Sequence, residues 1–383
     1  MKTIRTAIVG TGFMGRVHLE AIRRVEFVEA AAIAGRNEEA ARKLGAAFSV
    51  AALQDYREIL RDPLIDAVHI CTPNAQHHSM TKEALQAGKH VICEKPLTTT
   101  VAEAEELVAL AAQQGLRNCV CHNLRYYPMV QQMRCLREAG DLGEILVVQG
   151  TYSQDWLLYD TDWNWRVDAK AGGASRCMAD IGSHWFDMAE HITGLRVMSL
   201  CADLQMFYKI RKQPKHSVET FANKLLGPED YIETPVETED FGAVIFRMGA
   251  RTRGAVTASQ VSAGRKNCLS IEIYGTKSSV AWNQERPDEL WQGHRDAGNE
   301  IFVKDPSLLK PGARSYADLP GGHSEGYDDT FKQVFRRFYA SVREPGTLEY
   351  PQFVDGLRQM TILNAVLESN RQRSWMDVPA KRA

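Results

Sequence analysis

Ile4-Arg5-Thr6-Ala7-Ile8-Val9 runs straight into Gly10-Thr11-Gly12-Phe13-Met14-Gly15, and this stretch decides the fold. An apolar run ends in G-x-G-x-x-G, and a helical pattern opens on it. The first glycine of such a turn allows the tight bend, the second lets a pyrophosphate approach the backbone, and the third lets helix pack on strand. A glycine-rich turn without a ligand is the competing reading.

Outward from that turn, short apolar runs alternate with helical stretches up to about residue 120. Strands are predicted over 4–9, 28–34, 67–71, 90–93 and 118–122, and helices over 15–25, 38–44, 81–87 and 101–114. That alternation predicts repeated βαβ units and a doubly wound parallel sheet. After Gly143 the texture changes. Residues 144–152, 197–208, 240–248, 251–260 and 269–274 read as longer strands without helices between them, the pattern of an antiparallel sheet. Among these strands a single helix is predicted, over 181–193, with Gly194 as its stop. Residues 209–239 read as a long surface excursion, and helices over 327–342 and 353–370 close the chain. The expected class is α/β. A dinucleotide-binding domain spans 1–123. A substrate-binding and oligomerisation domain spans 124–383, and its C-terminal helix packs back on the first domain.

The 383 residues suit two domains. With 46 basic and 48 acidic side chains the net charge is −2, so no basic field is available to gather nucleic acid or an anionic membrane. No stretch approaches about 18 apolar residues, and the N-terminus lacks the zones of a signal peptide, so a cytoplasmic protein is expected. The eight cysteines are scattered, and free thiols are expected.

A cofactor with a free ribose 2′-hydroxyl calls for a carboxylate at the end of the second strand, about 20 positions past the glycines. That end reads Ala34-Gly35-Arg36-Asn37. Arg36 could fork onto a 2′-phosphate, which favours NADP over NAD. Arg36 as a solvated loop residue, with Glu38 swinging in, is the alternative.

Later strand ends carry Thr72-Pro73-Asn74 with His77, and Glu94-Lys95-Pro96. Polar groups at the carboxyl ends of parallel strands meet a cofactor or substrate. Lys95, between a strand and a proline, is a candidate for proton transfer, against the plainer reading of a surface lysine in a turn. Asp180-Ile181-Gly182-Ser183-His184 is the second cluster. At 100° per residue Asp180, His184, Asp187 and His191 share one helical face. A histidine one turn from a carboxylate suits proton handling. Helix capping by Asp180 and a metal held by the two Asp and two His remain open here.

Gly10–Gly15, Thr72-Pro73-Asn74 with His77, Glu94-Lys95-Pro96, and Asp180 with His184 occur together in the order and spacing of the glucose-fructose oxidoreductase, inositol dehydrogenase and rhizopine-catabolism (Gfo/Idh/MocA) family, which the chain resembles over nearly its whole length. The resemblance implies a Rossmann domain and a C-terminal α/β domain whose large, mainly antiparallel open sheet mediates assembly into a homo-oligomer, a dimer or tetramer. It implies NAD(P)-dependent hydride transfer to or from a sugar, cyclitol or glycoside without a metal. By the same resemblance Lys95 is the catalytic lysine, Asp180 binds and orients the substrate, and His184 is the acid/base. Cofactor contacts are expected from Gly10, Gly12, Phe13, Met14, Gly15, Arg36, Thr72, Pro73, Asn74, His77, Glu94 and Lys95. Many NAD-preferring relatives carry Asp where Gly35 stands, a departure that strengthens the NADP reading.

Residues 159–166, Tyr-Asp-Thr-Asp-Trp-Asn-Trp-Arg, precede the catalytic helix. The Trp163 and Trp165 faces suit the C–H patches of a pyranose, and Arg166 suits its hydroxyls. Packing of the tryptophans in the core is the alternative. Arg125, Tyr126, His323 and Tyr327 are further substrate-side candidates. Two other activities compete with the dehydrogenase: a non-catalytic dinucleotide sensor, and an enzyme that oxidises a glycoside ring with its cofactor recycled in place.

Overall fold

A computed structural model describes residues 3–215, 227–344, 346 and 349–379. The chain divides into two compact units, Met1–Tyr126 with Tyr327–Met360, and Tyr127–Gly326 with Thr361–Ala383.

The first unit holds six parallel strands, β1 (Ile4–Val9), β2 (Val28–Ala34), β3 (Ala51–Leu53), β4 (Ala67–Ile70), β5 (His90–Cys93) and β6 (Asn118–Val120). Their order is β3-β2-β1-β4-β5-β6, the doubly wound arrangement expected from the sequence. The strands are apolar because helices cover both faces of such a sheet: Ile8, Ile33, Val68, Val91 and Ile92 are fully buried. The chain reverses direction across the sheet between β1 and β4. Their carboxyl ends, with that of β5, carry Gly10–Gly15, Thr72–Asn74 and Glu94–Lys95. The first helix begins at Phe13, inside the glycine motif, and stops at Ile22, so the predicted 15–25 is shifted. The helix Tyr327–Arg343 belongs to this unit and packs on Phe13–Ile22.

The second unit is built on nine strands: β7 (Ile145–Ser153), β8 (Val197–Gln205), β11 (Phe241–Met248), β12 (Thr252–Ser259), β13 (Cys268–Gly275), β14 (Ser279–Asn283), β15 (Glu289–Gly293), β16 (Glu300–Val303) and β17 (Met376–Asp377). A separate hairpin pairs β9 (Ile210–Pro214) with β10 (Tyr231–Pro235). The sheet order is β16-β15-β14-β13-β7-β12-β11-β8-β17. It is mainly antiparallel, but β7 and β12 at its centre run parallel. The excursion expected over 209–239 contains the β9–β10 hairpin, and 216–226 lie outside the described residues.

Helices cover this sheet. Ser183–Thr193 lies on β7 and β13, and Pro128–Glu138, which the sequence reading missed, lies on β14 and against Ser183–Thr193. Trp185, fully buried, donates its indole N–H to the Ser270 carbonyl at 2.9 Å. Gly150 makes room for it: a Cβ there would lie 2.0 Å from the same carbonyl oxygen and 2.8 Å from the indole nitrogen.

Candidate active site

Gly10 has φ +123°, and a Cβ on it would lie 2.4 Å from the Cys71 carbonyl oxygen. A Cβ on Gly15 would lie 2.0 Å from the Gly10 carbonyl oxygen. Both positions therefore exclude a side chain. Gly12 differs, since a Cβ there meets nothing within 4 Å. It lies open at the start of the helix Phe13–Ile22. An open glycine at a helix N-terminus suits a pyrophosphate. Phe13 is exposed and Met14 half-buried on the same turn.

At the end of β2 Arg36 is exposed. Asn37 caps the next helix by accepting from the Ala40 N–H at 3.0 Å. Glu38 accepts from Gln54 and pairs with Arg42 at 3.2 Å, which disfavours its swinging towards a ribose. Gly35 is tied to Thr11: a Cβ at 35 would lie 2.5 Å from Thr11 Cγ2. A carboxylate side chain at 35 therefore needs a smaller residue at 11, a coupling not visible in the sequence.

Thr72 and Pro73 are half-buried, and Asn74 opens a short 3-10 turn. His77 is fully buried, with Nδ1 2.8 Å from the Pro96 carbonyl and Nε2 2.9 Å from the Thr72 carbonyl. Burial holds its pKa down against those two bonds. Rather than lying open to a cofactor, His77 fastens the turn after β4 to the turn after β5. Glu94 is likewise buried, its Oε1 3.0 Å from His18 Nε2. Burial would push the Glu94 carboxyl up, but the hydrogen bond with His18 and the nearby Lys95 charge outweigh it and hold it below the usual range. His18 Nδ1 lies 2.8 Å from His69 Nδ1, and His69 Nε2 lies 2.6 Å from the Tyr339 hydroxyl. Among the described residues His18, Glu94 and Cys121 form the one group whose ligand atoms fall within 4.8 Å of one another. Their nitrogens and oxygen are already engaged in this hydrogen-bonded chain. Lys95 follows, half-buried.

Arg125 pairs with Asp355 at 3.1 Å, and the Tyr126 hydroxyl donates to the Glu349 carbonyl at 2.8 Å. Both side chains brace the first unit. Burial would raise the Asp355 carboxyl, but Arg125 and the Gln352 N–H outweigh it and leave it below the usual carboxylate range. A depressed pKa contributes stability that is complete above the unfolded value, about 3.9, and is lost as pH falls through the folded one. Melting temperature should accordingly fall more steeply below about pH 4 in the wild type than in Asp355→Asn; parallel curves would remove this pair from the acid response.

In the second unit Met178–Gly182 is π-helical and leads into Ser183–Thr193. Such insertions are frequent at functional sites. Asp180 does not cap this run. Glu239 does so, accepting from the Arg176 N–H at 3.1 Å, the Met178 N–H at 2.9 Å and the Ser175 hydroxyl at 2.6 Å. Asp180 instead accepts from Arg166 Nε at 3.2 Å on one oxygen and from Gln260 Nε2 at 2.9 Å on the other. His184, one turn on, is buried beside the Tyr152 ring. Of the four residues expected on one face, Asp180 lies in the π-helical turn, His191 Nε2 lies 3.0 Å from Gln131 Nε2 on the neighbouring helix, and Asp187 is buried.

The loop 155–168 divides. Trp163 packs with Trp156 and Met206 on Leu157, Val167 and Val236, as a core residue does. Trp165 is half-buried beneath the Arg166 guanidinium, 4.4 Å from its ring centroid. The loop is held by a group that sequence reading missed. Fully buried Arg211, on β9, donates to the carbonyls of Leu157 at 3.0 Å, Tyr159 at 2.8 Å and Asp162 at 3.2 Å, and to Asp240 at 2.7 Å. Asp240 also accepts from buried Arg176. No local pattern marks these residues, because their partners lie some 30 to 60 positions away in sequence. His323 is exposed, on a segment pinned by the buried Lys304–Glu325 pair at 2.7 Å.

Residues 4–122 match the model of the oxidoreductase family with an NAD-binding Rossmann fold, and residues 130–281 match the GFO/IDH/MocA C-terminal domain. The chain belongs to the Gfo/Idh/MocA family. Within it, the chain is 30% identical to levoglucosan dehydrogenase of Pseudarthrobacter phenanthrenivorans over 99% of each chain. It is 33% identical to scyllo-inositol 2-dehydrogenase (NADP(+)) of Bacillus subtilis, over 97% of this chain and 95% of that one. A solved structure of levoglucosan dehydrogenase with NADH and levoglucosan superposes with a TM-score of 0.88 at 28% identity, covering 99% of this chain and 100% of the other. Among the described residues no helix is long and apolar enough to cross a membrane.

Proposed function

We propose that this family member is an NAD(P)-dependent oxidoreductase that transfers hydride between a nicotinamide and a secondary hydroxyl or ketone of a sugar, cyclitol or glycoside. The observation that carries the reading is Asp180, both oxygens held by donors, one turn before His184 on a helical run capped by Glu239. Relatives named for levoglucosan and scyllo-inositol support the substrate class.

A bound dinucleotide, its pyrophosphate on the Gly10–Gly15 turn, would supply the two-electron acceptor through its nicotinamide. The chain's own residues handle the proton. His184 takes it from the reacting hydroxyl, Asp180 keeps the imidazole oriented and stabilises its charged form, and Lys95 stabilises the developing alkoxide. Trp165 and Arg166 border the substrate. A panel of sugars, cyclitols and glycosides, assayed with each cofactor by nicotinamide absorbance, tests this; nucleotide binding without turnover on any of them points instead to a sensor.

NADP is the favoured cofactor because Arg36 is exposed at the end of β2, where a 2′-phosphate is recognised, and Glu38 is engaged elsewhere. Arg36→Ala should raise the apparent constant for NADP several-fold more than that for NAD. Thr11→Ala with Gly35→Asp should shift preference further towards NAD than Gly35→Asp alone, because the single variant collides with Thr11. Equal effects of Arg36→Ala on both cofactors would sink the assignment.

Self-association is proposed through the nine-stranded sheet, on which Val147 of β7, Met198 of β8 and Ile245 of β11 are exposed. Light scattering of the purified chain should give a dimer or tetramer, and a monomer at micromolar concentration contradicts it.

A further inference from the structure

Resting on the reading of Asp180 as the group that orients substrate and imidazole, we infer that Gln260 is its positioning residue. The torsion that turns a carboxylate is broad and roughly two-fold, so a lone Asp does not hold one direction. Two donors on different oxygens remove that freedom. Arg166 and Gln260 supply them, at 3.2 and 2.9 Å, and they are not equivalent.

Arg166 lies on a short 3-10 turn, is partly exposed, and divides its guanidinium among Asp180, Asn164 Oδ1 at 3.3 Å and the face of Trp165. It contributes charge from a group with room to move. Gln260 is fully buried just past the end of β12, and its backbone is held on both sides. Its N–H donates to the Asp240 carbonyl at 3.0 Å, and its carbonyl accepts from the Leu157 N–H at 3.2 Å. The amide can face the carboxylate in one sense only, because turning it over would set Oε1 against Asp180 Oδ2. Gln260 Oε1 accepts no hydrogen bond among the described residues. A buried acceptor left so is retained at a cost, which fits an amide kept for its N–H. Its backbone bonds also join it to Asp240 and the 155–168 loop, so the network that frames the loop aims the Asp180 carboxylate. Arg166 brings a charge beside Asp180; Gln260 fixes where the carboxylate points.

The test compares wild type, Asp180→Asn, Gln260→Met and Gln260→Glu, each assayed across pH on a substrate found in the panel. Met keeps the volume and loses the donor. Turnover should fall about tenfold to a hundredfold, the scale of a small misplacement, with nucleotide affinity unchanged and the same fractional loss at every pH. Glu restores a donor only while its carboxyl is protonated, since an ionised carboxylate has no hydrogen to give, and the neighbouring Asp180 carboxylate favours the protonated form until the pH rises. Activity of Gln260→Glu relative to wild type should be near one at low pH and fall as pH rises. A residue that merely stabilised the fold would give no such reversal, and because the reversal occurs within one protein it carries the test even if Gln260→Met fails to fold. Loss of activity in Asp180→Asn with Gln260→Met within twofold of wild type, or a pH-independent ratio for Gln260→Glu, overturns the role of Gln260 alone. Full activity in Asp180→Asn overturns the reading of Asp180 itself, and this inference with it.

Discussion

Lys95→Ala should lower turnover by roughly a hundredfold or more, the loss typical of a group that stabilises or moves a proton in the transition state, while nucleotide affinity stays within a few-fold. Lys95 stands at the carboxyl end of β5, next to a residue whose direction is set independently. Glu94 is fixed by His18, His18 by His69, and His69 by Tyr339. His77 clamps the following Pro96 carbonyl to the turn after β4. The backbone on both sides of Lys95 is thus held by buried groups that the substitution leaves in place. Stability should change little, and steady-state kinetics with parallel nucleotide titration separates the effects. Unchanged turnover would remove Lys95 from the chemistry, and a matching loss of nucleotide affinity would make it a binding residue.

Arg211→Met should be the costliest single change in the second unit. The guanidinium is fully buried and serves four acceptors, three of them carbonyls of the 155–168 loop and the fourth Asp240. Met fills much of the volume and donates nothing. Asp240 keeps Arg176, so the expected loss is near the lower end for a broken buried pair, about 3 kcal/mol, or roughly 6–12 °C in Tm for a unit of this size. Arg211→Lys should recover little, because an ammonium on a flexible stem cannot reproduce the planar fork. The loop carries Trp165 and Arg166, so KM for the sugar should rise in both variants well before unfolding begins. A melt within 2 °C of wild type, about 0.5–1 kcal/mol, would show that the loop is held by other contacts.

Local signals carried most of the first unit, but not β3 (Ala51–Leu53) or the short helix Tyr56–Arg61, and they did not show that Tyr327–Met360 belongs to it. Each of the other strands of the doubly wound sheet is an apolar run closed by Gly, Pro or a polar turn, and the sheet order follows from the right-handed βαβ connection. The glycine spacing expressed a steric fact that the structure shows directly at Gly10 and Gly15. The second unit was legible only as strand texture. Periodicity reports one face of one element, so it could not show that β7 and β12 lie side by side in parallel, since their pairing spans about a hundred residues. The helix Pro128–Glu138 was missed because its buried face includes the polar Gln131 and Gln132. The π-helical turn at Met178–Gly182 takes Asp180 off the 100° projection, while His184, Asp187 and His191 lie on the regular helix that follows. His77, Glu94, Arg125 and Tyr126 sit where the motifs put them, but their burial and partners make them braces of the turns around the site. Polar residues bound over long range, above all Arg211, Glu239, Asp240 and Gln260, leave no local trace.

Direct isotope transfer tests the central claim of hydride exchange between a sugar carbon and a nicotinamide. The wild type is given oxidised cofactor and a panel substrate deuterated at every carbon, and the reduced nicotinamide is weighed by mass spectrometry. The account predicts one deuterium per reduced cofactor, with none formed in His184→Asn or Lys95→Ala beyond their residual turnover. Reduced nicotinamide without label, or product formed from the sugar with no reduced cofactor at any time, would contradict it.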